Sequence, residues 1–474
     1  MRGPFYPDEV RNVYIAKSIT TPREFLIPHH LDEVYWSKPP LYFWFLKSLL
    51  AIPSFSFLLM PILFNTIVSW AILCLNYLFF KEEGEPAIGT LSSLLLFTTA
   101  VFYGMSVVVR MDTLFLFFIL LSVYSLWFSI KKQKESLLLV SACASFCAVF
   151  TKGAFGFIFP FFIGLGMALF SKNRNVLRKV VLANVLVLLL IAIWISSFTH
   201  LNSEYFDKML FEQTIDRSLD PKNHAQPIFY YFPFLFLLFL PWSLVGAGYF
   251  LYFKKNKIAP WEKLFLLWLI GGFLILSLVG SKVPIYLLLL VPAFCGLTAK
   301  FLIQGPAALK KKLFYFTGGF FLFCWIGGFV YSRLNEIAVP ASAYFILILF
   351  VLAVILMVKR GPAQQWRNTF LIWAIIMQMG NFLYLPLASK ASRYNKIVAA
   401  LKETHVIYEE IYVDERPLLQ LNIYPLKQPV VRLEERKEIC QKERAILVSK
   451  SDAFSCTLDK IATIDDFFLW YKEK

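Results

Sequence analysis

Apolar runs of about twenty residues, almost free of charge, recur through most of this chain. A run of that length is what a ~30 Å hydrocarbon layer demands of a helix. A soluble domain has no means of burying so many of them. The runs fall near 57–80, 87–108, 112–130, 137–151, 154–170, 177–198, 228–252, 262–279, 284–303, 312–331, 340–358 and 368–388. Composition agrees: 58% of residues are hydrophobic, only 16% are charged, and the mean hydropathy is +0.62. The expected class is therefore an all-α polytopic membrane protein of about twelve spans.

The loops between these runs differ sharply in charge. Lys131, Lys132 and Lys134, then Lys172, Arg174, Arg178 and Lys179, then Lys254, Lys255 and Lys257, then Lys310–Lys312 occupy every second loop. The alternate loops carry little more than Arg110, Lys152, Lys282 and Arg333, apart from one long loop at 199–227. Lysine and arginine accumulate on the cytoplasmic side, so the rich loops are cytoplasmic and both chain ends face outward. The net charge of +16 is explained by this bias, and it does not call for a nucleic-acid partner. Three regions follow: an extracytoplasmic segment 1–56, a helix bundle 57–388, and an extracytoplasmic tail 389–474. An outward N-terminus without a leading apolar helix also predicts a further span upstream of Met1.

With sidedness set, the ionisable residues at the span edges gather on one face. Asp8 and Glu9 in "RGPFYPDEV", Arg11, Lys38 in "YWSKPPLYFW", Arg110 and Asp112 in "VRMDTLF", Lys152 in "FTKGAFG", and Lys282 in "SKVPIY" all lie outside, as do Arg217 and His224 in the long loop. Taken singly, each has an ordinary reading: a snorkelling lysine, a helix-start ion pair, a loop histidine. Their convergence points instead to a chamber lined with charge. Five cysteines (Cys74, Cys143, Cys147, Cys295, Cys324) lie inside apolar runs and read as packing residues. Cys440 and Cys456, in the outward tail, are left open between thiols and a disulfide. In that tail "EEIYVDE", "PVVRLE" and "RAILVSK" read as strands and "NKIVAALKE" as a helix, making a small α/β domain.

The ordered set "PFYPDEVRNVYIAKSI", "IPHHLDEVYWSKPPLYFW", "VRMDTLFLFF", "FTKGAFGFIFP", "HAQPIFYYFPFLFLLFLPWS" and "SKVPIYLLLLVPA" resembles the dolichyl-phosphate-mannose-protein mannosyltransferase superfamily. Its bacterial branch, similar to lipid A aminoarabinose transferases, is the nearest in layout. The resemblance implies a GT-C fold of thirteen helices. It also implies transfer of a sugar from an undecaprenyl phosphate carrier to an extracytoplasmic acceptor such as lipid A, another glycolipid or a protein. The site would face the periplasm from the bacterial inner membrane, and the protein would act as a monomer. By the same resemblance Asp8 matches the catalytic base and Asp112 the second acidic motif, with Glu9 or Asp112 orienting the acceptor. Arg11 and Lys38 match positions holding the carrier phosphate. A departing phosphate needs fixed cations rather than an acid, and Lys152, Arg217 and Lys282 complete that supply. Arg110, His224 and Tyr286 are assigned to the acceptor or pocket.

One departure is chemical. The branch places a metal-binding Glu just before the motif lysine, where this chain has Ser37, and the partner histidine has no clear match between Glu212 and His224. No metal or other cofactor is assigned. The rival readings are a lipid-linked-sugar flippase and a degenerate paralogue. A flippase needs polar groups at mid-membrane or on both faces, and here they crowd one face.

Overall fold

The structure, a computed structural model, describes residues 7–31, 33–53, 57–199, 203–209, 225–253, 258–313, 315–317, 319–320 and 393–472, the last stretch without 405–407, 425, 427, 429, 434, 435, 443, 451–453 and 455. The chain begins with α1 (Pro7–Ser18), α2 (Pro22–Leu26) and a hairpin of two-residue strands, β1 (His29–His30) against β2 (Glu33–Val34). α2 carries a capping box in which Thr21 and Glu24 satisfy each other's backbone, so this polar stretch folds by local hydrogen bonds. The apolar α3 (Leu41–Leu50) follows, only ten residues long.

The bundle then runs through α4 (Leu59–Glu82), the pair α5 (Pro86–Thr98) and α6 (Ala100–Ser106), α7 (Asp112–Lys132), α8 (Glu135–Lys152), α9 (Phe155–Ser171) and α10 (Arg174–Thr199). Beyond α10 come the bent pair Ile228–Leu238 with Ser243–Tyr252, and the helices Pro260–Leu278 and Pro284–Gln304. Among the described residues, six helices are long and apolar enough to cross a membrane, or up to eight if each bent pair is one span. α9, at 17 residues, is apolar but shorter. These elements coincide with the first nine runs read from the sequence. The last three runs lie mostly outside the described residues.

The two bent pairs are solutions to one problem. α5 and α6 meet at 71°, and the second pair at 106°. A bend inside hydrocarbon strips backbone groups of their helical partners where no water can replace them. Here each break serves the other. Ala100 N–H donates to Leu240 O at 2.9 Å, and Trp242 Nε1–H donates to Thr98 Oγ1 at 2.9 Å. Pro241 sits at the second break, where "FLPWS" in the sequence predicts one. Elsewhere Asn76 ties α4 to α5 through Ser92 Oγ at 3.0 Å, and Tyr124 OH of α7 donates to Asn76 Oδ1 at 3.2 Å. Buried amides and hydroxyls thus pair across helices, as interhelical packing in lipid favours.

The tail has its own core. Its sheet runs β4–β3–β5–β7–β6, where β3 is Glu410–Val413, β4 Val430–Arg432, β5 Ala445–Ser449, β6 Asp459–Ile464 and β7 Phe467–Lys472. The first three strands are parallel, and β7 runs antiparallel to both β5 and β6. β5 is buried along its whole length, as a central strand covered on both faces must be. The Arg393–Glu403 helix buries Ile397, Val398 and Leu401 against one face. On the other face Tyr412, Leu433, Ile439 and Leu447 pack beside a Cys440–Cys456 disulfide.

This domain docks on the N-terminal segment. Gln420 reaches the His30 ring at 2.9 Å between side-chain nitrogens, Tyr424 packs edge-on against Phe57 at 5.3 Å, and Leu31 joins the tail core. A neutral His30 Nε2 accepts from the amide, whereas an imidazolium would oppose donor to donor. Burial, helped by the Arg11 charge and resisted by Glu33, holds the His30 pKa down to about 4 from 6.5. The unfolded chain therefore binds the extra proton between those values. Stability should be full above about 6.5, fall as pH drops toward about 4, and level off below. The melting temperature across that window checks this, and His30→Gln should flatten the slope.

Candidate functional site

Helix length brings the first pair together. α7 starts at Asp112 and α8 ends at Lys152; the two run antiparallel across a short turn and, at 21 and 18 residues, nearly match in rise. The start of one and the end of the other must meet at the same face. They do: Lys152 Nζ lies 2.5 Å from Asp112 Oδ1. An acid at a helix start and a base at a helix end also suit both dipoles. Gly153, at φ +98°, ends α8, and its N–H closes on Val149 O at 2.8 Å. Gly156 lets α9 cross tightly, since a Cβ there would meet Val149 N at 2.2 Å. Both glycines keep Lys152 at the mouth rather than letting the helix run on.

From this pair the charges continue in a line. Asp112 Oδ2 accepts from Arg110 Nε at 2.9 Å, Arg110 reaches Asp8 Oδ2 at 2.6 Å, and Asp8 Oδ1 lies 2.5 Å from Arg11. Five groups from α1, α7, α8 and the link before α7 thus alternate in sign: Arg11, Asp8, Arg110, Asp112, Lys152. Exposure separates the acids. Asp112 keeps 3% of its side-chain surface and Glu9 none, while Asp8 keeps 25%. Asp8 is the carboxylate of this group that another molecule can reach. Each of its oxygens has lone-pair capacity beyond its guanidinium partner.

At the Lys152 end lies a cavity of ≈ 210 Å³. Lys38 and Lys152 supply its charge; Ser37, Ser281 and Tyr286 supply polar edges; Phe157, Ile158, Ile191, Trp194, Ile195, Leu276 and Leu289 make an apolar wall. The Lys152 ammonium also stands over the Tyr286 and Phe115 rings, 4.9 and 5.2 Å from their centres. Lysines at the rim of an apolar slot can hold an anion whose remainder is hydrocarbon.

The other residues singled out by sequence fall as follows. Glu9 Oε1 accepts from Val109 N–H at 3.0 Å, a contact with backbone. Lys282 donates to Gln226 O at 2.9 Å and Val279 O at 2.6 Å, which closes the 225–226 stretch onto 280–282 beside the cavity wall. Arg217, His224 and Glu212 lie outside the described residues. Asn12, Asn65 and Phe115 belong to the site and were not singled out by sequence. A lone amide inside an apolar span, such as Asn65, was the available signal. Among the described residues, no group of three or more His, Cys, Asp or Glu side chains is placed to hold a metal ion.

Residues 37–197 match the family described as dolichyl-phosphate-mannose-protein mannosyltransferase. An uncharacterised protein of Aquifex aeolicus is 28% identical, over 65% of this chain and 60% of its own length. Undecaprenyl phosphate-alpha-4-amino-4-deoxy-L-arabinose arabinosyl transferase 2 of Pseudomonas fluorescens is 23% identical, over 79% of this chain and 67% of its own. The corresponding transferase of Wigglesworthia glossinidia is 26% identical, over 66% and 57%. The chain therefore spans roughly three fifths of the length of these relatives. The crystal structure of ArnT from Cupriavidus metallidurans bound to undecaprenyl phosphate shares the fold, with a TM-score of 0.79 at 13% identity over 99% of this chain and 94% of that one. The chain is similar to this family over residues 37–197, and it shares its fold with the ArnT structure. The fold class is as the sequence indicated: a GT-C helix bundle carrying a small C-terminal sheet domain. Its long apolar helices make it a multi-pass membrane protein.

Removing one charge from the line should cost more than its hydrogen bonds. Asp112→Asn leaves Arg110 and Lys152 facing each other without their shared counter-ion. We expect a loss of about 3 kcal/mol, the low end for a broken buried pair, because the two cations keep 20% and 14% exposure. Lys152→Met leaves Asp112 still held by Arg110 and should cost less. Denaturant unfolding of both variants in detergent checks the order.

Proposed function

We propose that this protein is an integral-membrane glycosyltransferase that moves a sugar from a polyprenyl phosphate carrier to an acceptor on the extracytoplasmic side. Lipid A or another membrane glycolipid is the acceptor class this reading favours, and the bacterial inner membrane its location. The observation that carries it is the pair Lys38–Lys152 at the rim of an apolar cavity, joined through Asp112 and Arg110 to the reachable carboxylate Asp8. The names of the aminoarabinose relatives and the carrier bound in the ArnT crystal structure support the same donor chemistry.

In this reading the carrier phosphate lies on Lys38 and Lys152, with its first prenyl units along Ile191, Trp194 and Leu276. As the bond from the anomeric carbon to the phosphate oxygen lengthens, negative charge builds on the phosphate. Fixed ammonium groups stabilise that charge without reorganisation, which is often the largest single catalytic contribution. The carbon becomes oxocarbenium-like, and the acceptor oxygen attacks from the opposite side. Asp8 orients that oxygen and, where the acceptor is a hydroxyl, takes its proton. Where the acceptor is itself a phosphate, the oxygen is already anionic and Asp8 positions it. The Cys440–Cys456 disulfide supports an outward tail, since such bonds persist in oxidising compartments.

Purified full-length protein supplied with labelled undecaprenyl phosphate sugars and membrane glycolipids tests the proposal. Lys38→Ala should raise donor KM at least tenfold. Asp8→Asn should lower kcat about 10²- to 10⁴-fold with a hydroxyl acceptor. Undiminished transfer in both variants would sink the assignment of these residues, and translocation without transfer would favour a transporter.

A further inference from the structure

The link between α6 and α7 is held in place by side chains rather than by secondary structure. Glu9 and Asn12, one turn apart on α1, both grip Val109: Glu9 Oε1 accepts from its N–H at 3.0 Å, and Asn12 Nδ2 donates to its carbonyl at 3.1 Å. From the opposite side Asn65, on α4, gives its amide to the carbonyls of Val108 and of Arg110, the latter at 3.0 Å. Glu9, Asn12 and Asn65 keep 0%, 2% and 0% of their surface. Asn65 could have been any apolar residue had it only to pack in a membrane span. An amide there is unfavourable unless paired, and its Nδ2 donates to two backbone carbonyls of this one link.

We propose that Asn12 and Asn65, with Glu9, form a positioning clamp for the sugar-transfer reaction, acting through Arg110. Arg110 must bridge two carboxylates with different nitrogens, Nε to Asp112 and a terminal nitrogen to Asp8. That double contact depends on where its backbone stands relative to both acids. The clamp supplies the fix by occupying the carbonyls at 108, 109 and 110. None of the three residues lines the cavity, whose charge comes from Lys38 before α3 and Lys152 at the end of α8. The clamp therefore governs where Asp8 stands relative to the reacting carbon, and donor binding is left to the lysines. Misplacement of about 1 Å at such a distance from the chemistry can cost on the order of 10²-fold in rate.

The inference rests on the proposed transferase reading, and its test separates the two. Full-length Asn65→Leu and, in case that variant folds poorly, Asn12→Ala are compared with wild type in labelled-donor transfer, alone and in an Arg110→Ala background. Expected is a tenfold or greater fall in kcat with donor KM within about twofold, and no further fall when Arg110 is already absent. Residues that act through one partner give this non-additive pattern, whereas a merely structural role would lower both backgrounds alike. Wild-type turnover in both single variants, or equal losses with and without Arg110, overturns the clamp. A wild-type protein that transfers nothing overturns the transferase reading, and the clamp's catalytic purpose with it.

Discussion

This end of the bundle is organised by one electrostatic requirement: a carboxylate with 3% exposure must be surrounded by cations. Asp112 has two, and each in turn constrains another element. Lys152 fixes the end of α8, and Arg110 fixes the link before α7 and recruits Asp8 from α1. Bringing an ion into a low-dielectric setting costs several kcal/mol, and breaking its pairing costs more than an ordinary contact gains. α1, the link into α7, the start of α7 and the end of α8 are thereby held to one geometry. The arrangement is also one-directional. Arg110 lies in the middle of the line, with the buried acid and a cation over an apolar slot on one side and a partly exposed acid on the other.

That polarity is what gives the cavity chemical meaning. Lys152 already has a counter-ion and stands over two aromatic rings, so its ammonium is oriented before any anion arrives. A preorganised cation pays no reorganisation when charge develops beside it. The apolar wall excludes water from the same place and strengthens the interaction. Neither lysine alone would distinguish a binding slot from a snorkelling surface, but two at the rim of one hydrocarbon-lined space do.

Much of this was legible in the sequence, and the reasons are specific. The spans up to residue 304 could be read because a membrane helix needs length and lack of charge, both local properties. The gathering of Asp8, Arg11, Lys38, Arg110, Asp112 and Lys152 on one side followed from loop charge alone. Their pairing did not, because Lys152 finds Asp112 through the matched lengths of two helices. Lys282 looked the same in sequence as Lys152, yet it spends its ammonium on two carbonyls. The tail strands β3, β4 and β5 announced themselves by β-branched runs. β6 and β7 did not, since "DKIATI" and "FFLWYK" lack clean alternation and are defined by pairing, β6 with β7 and β7 with β5 as well. Asn12 and Asn65 stayed hidden because what they recognise is backbone, which leaves no mark in the sequence of their partner.

α1 shows why the tail belongs to the same structure as the bundle. It is 12 residues long, carries Asp8, Glu9 and Arg11, and at that length a helix is marginal in water. Its buried face, Val10, Val13 and Ala16, must be covered from several sides to hold. α3 covers it from the bundle, the clamp ties it to the 108–110 link, and the Arg416–Ile423 segment of the tail closes over it beside His30. Without the tail, one side of the helix that presents the reachable carboxylate would face solvent. The sheet domain therefore contributes to the site by completing the burial of α1, even though none of its described residues lines the cavity.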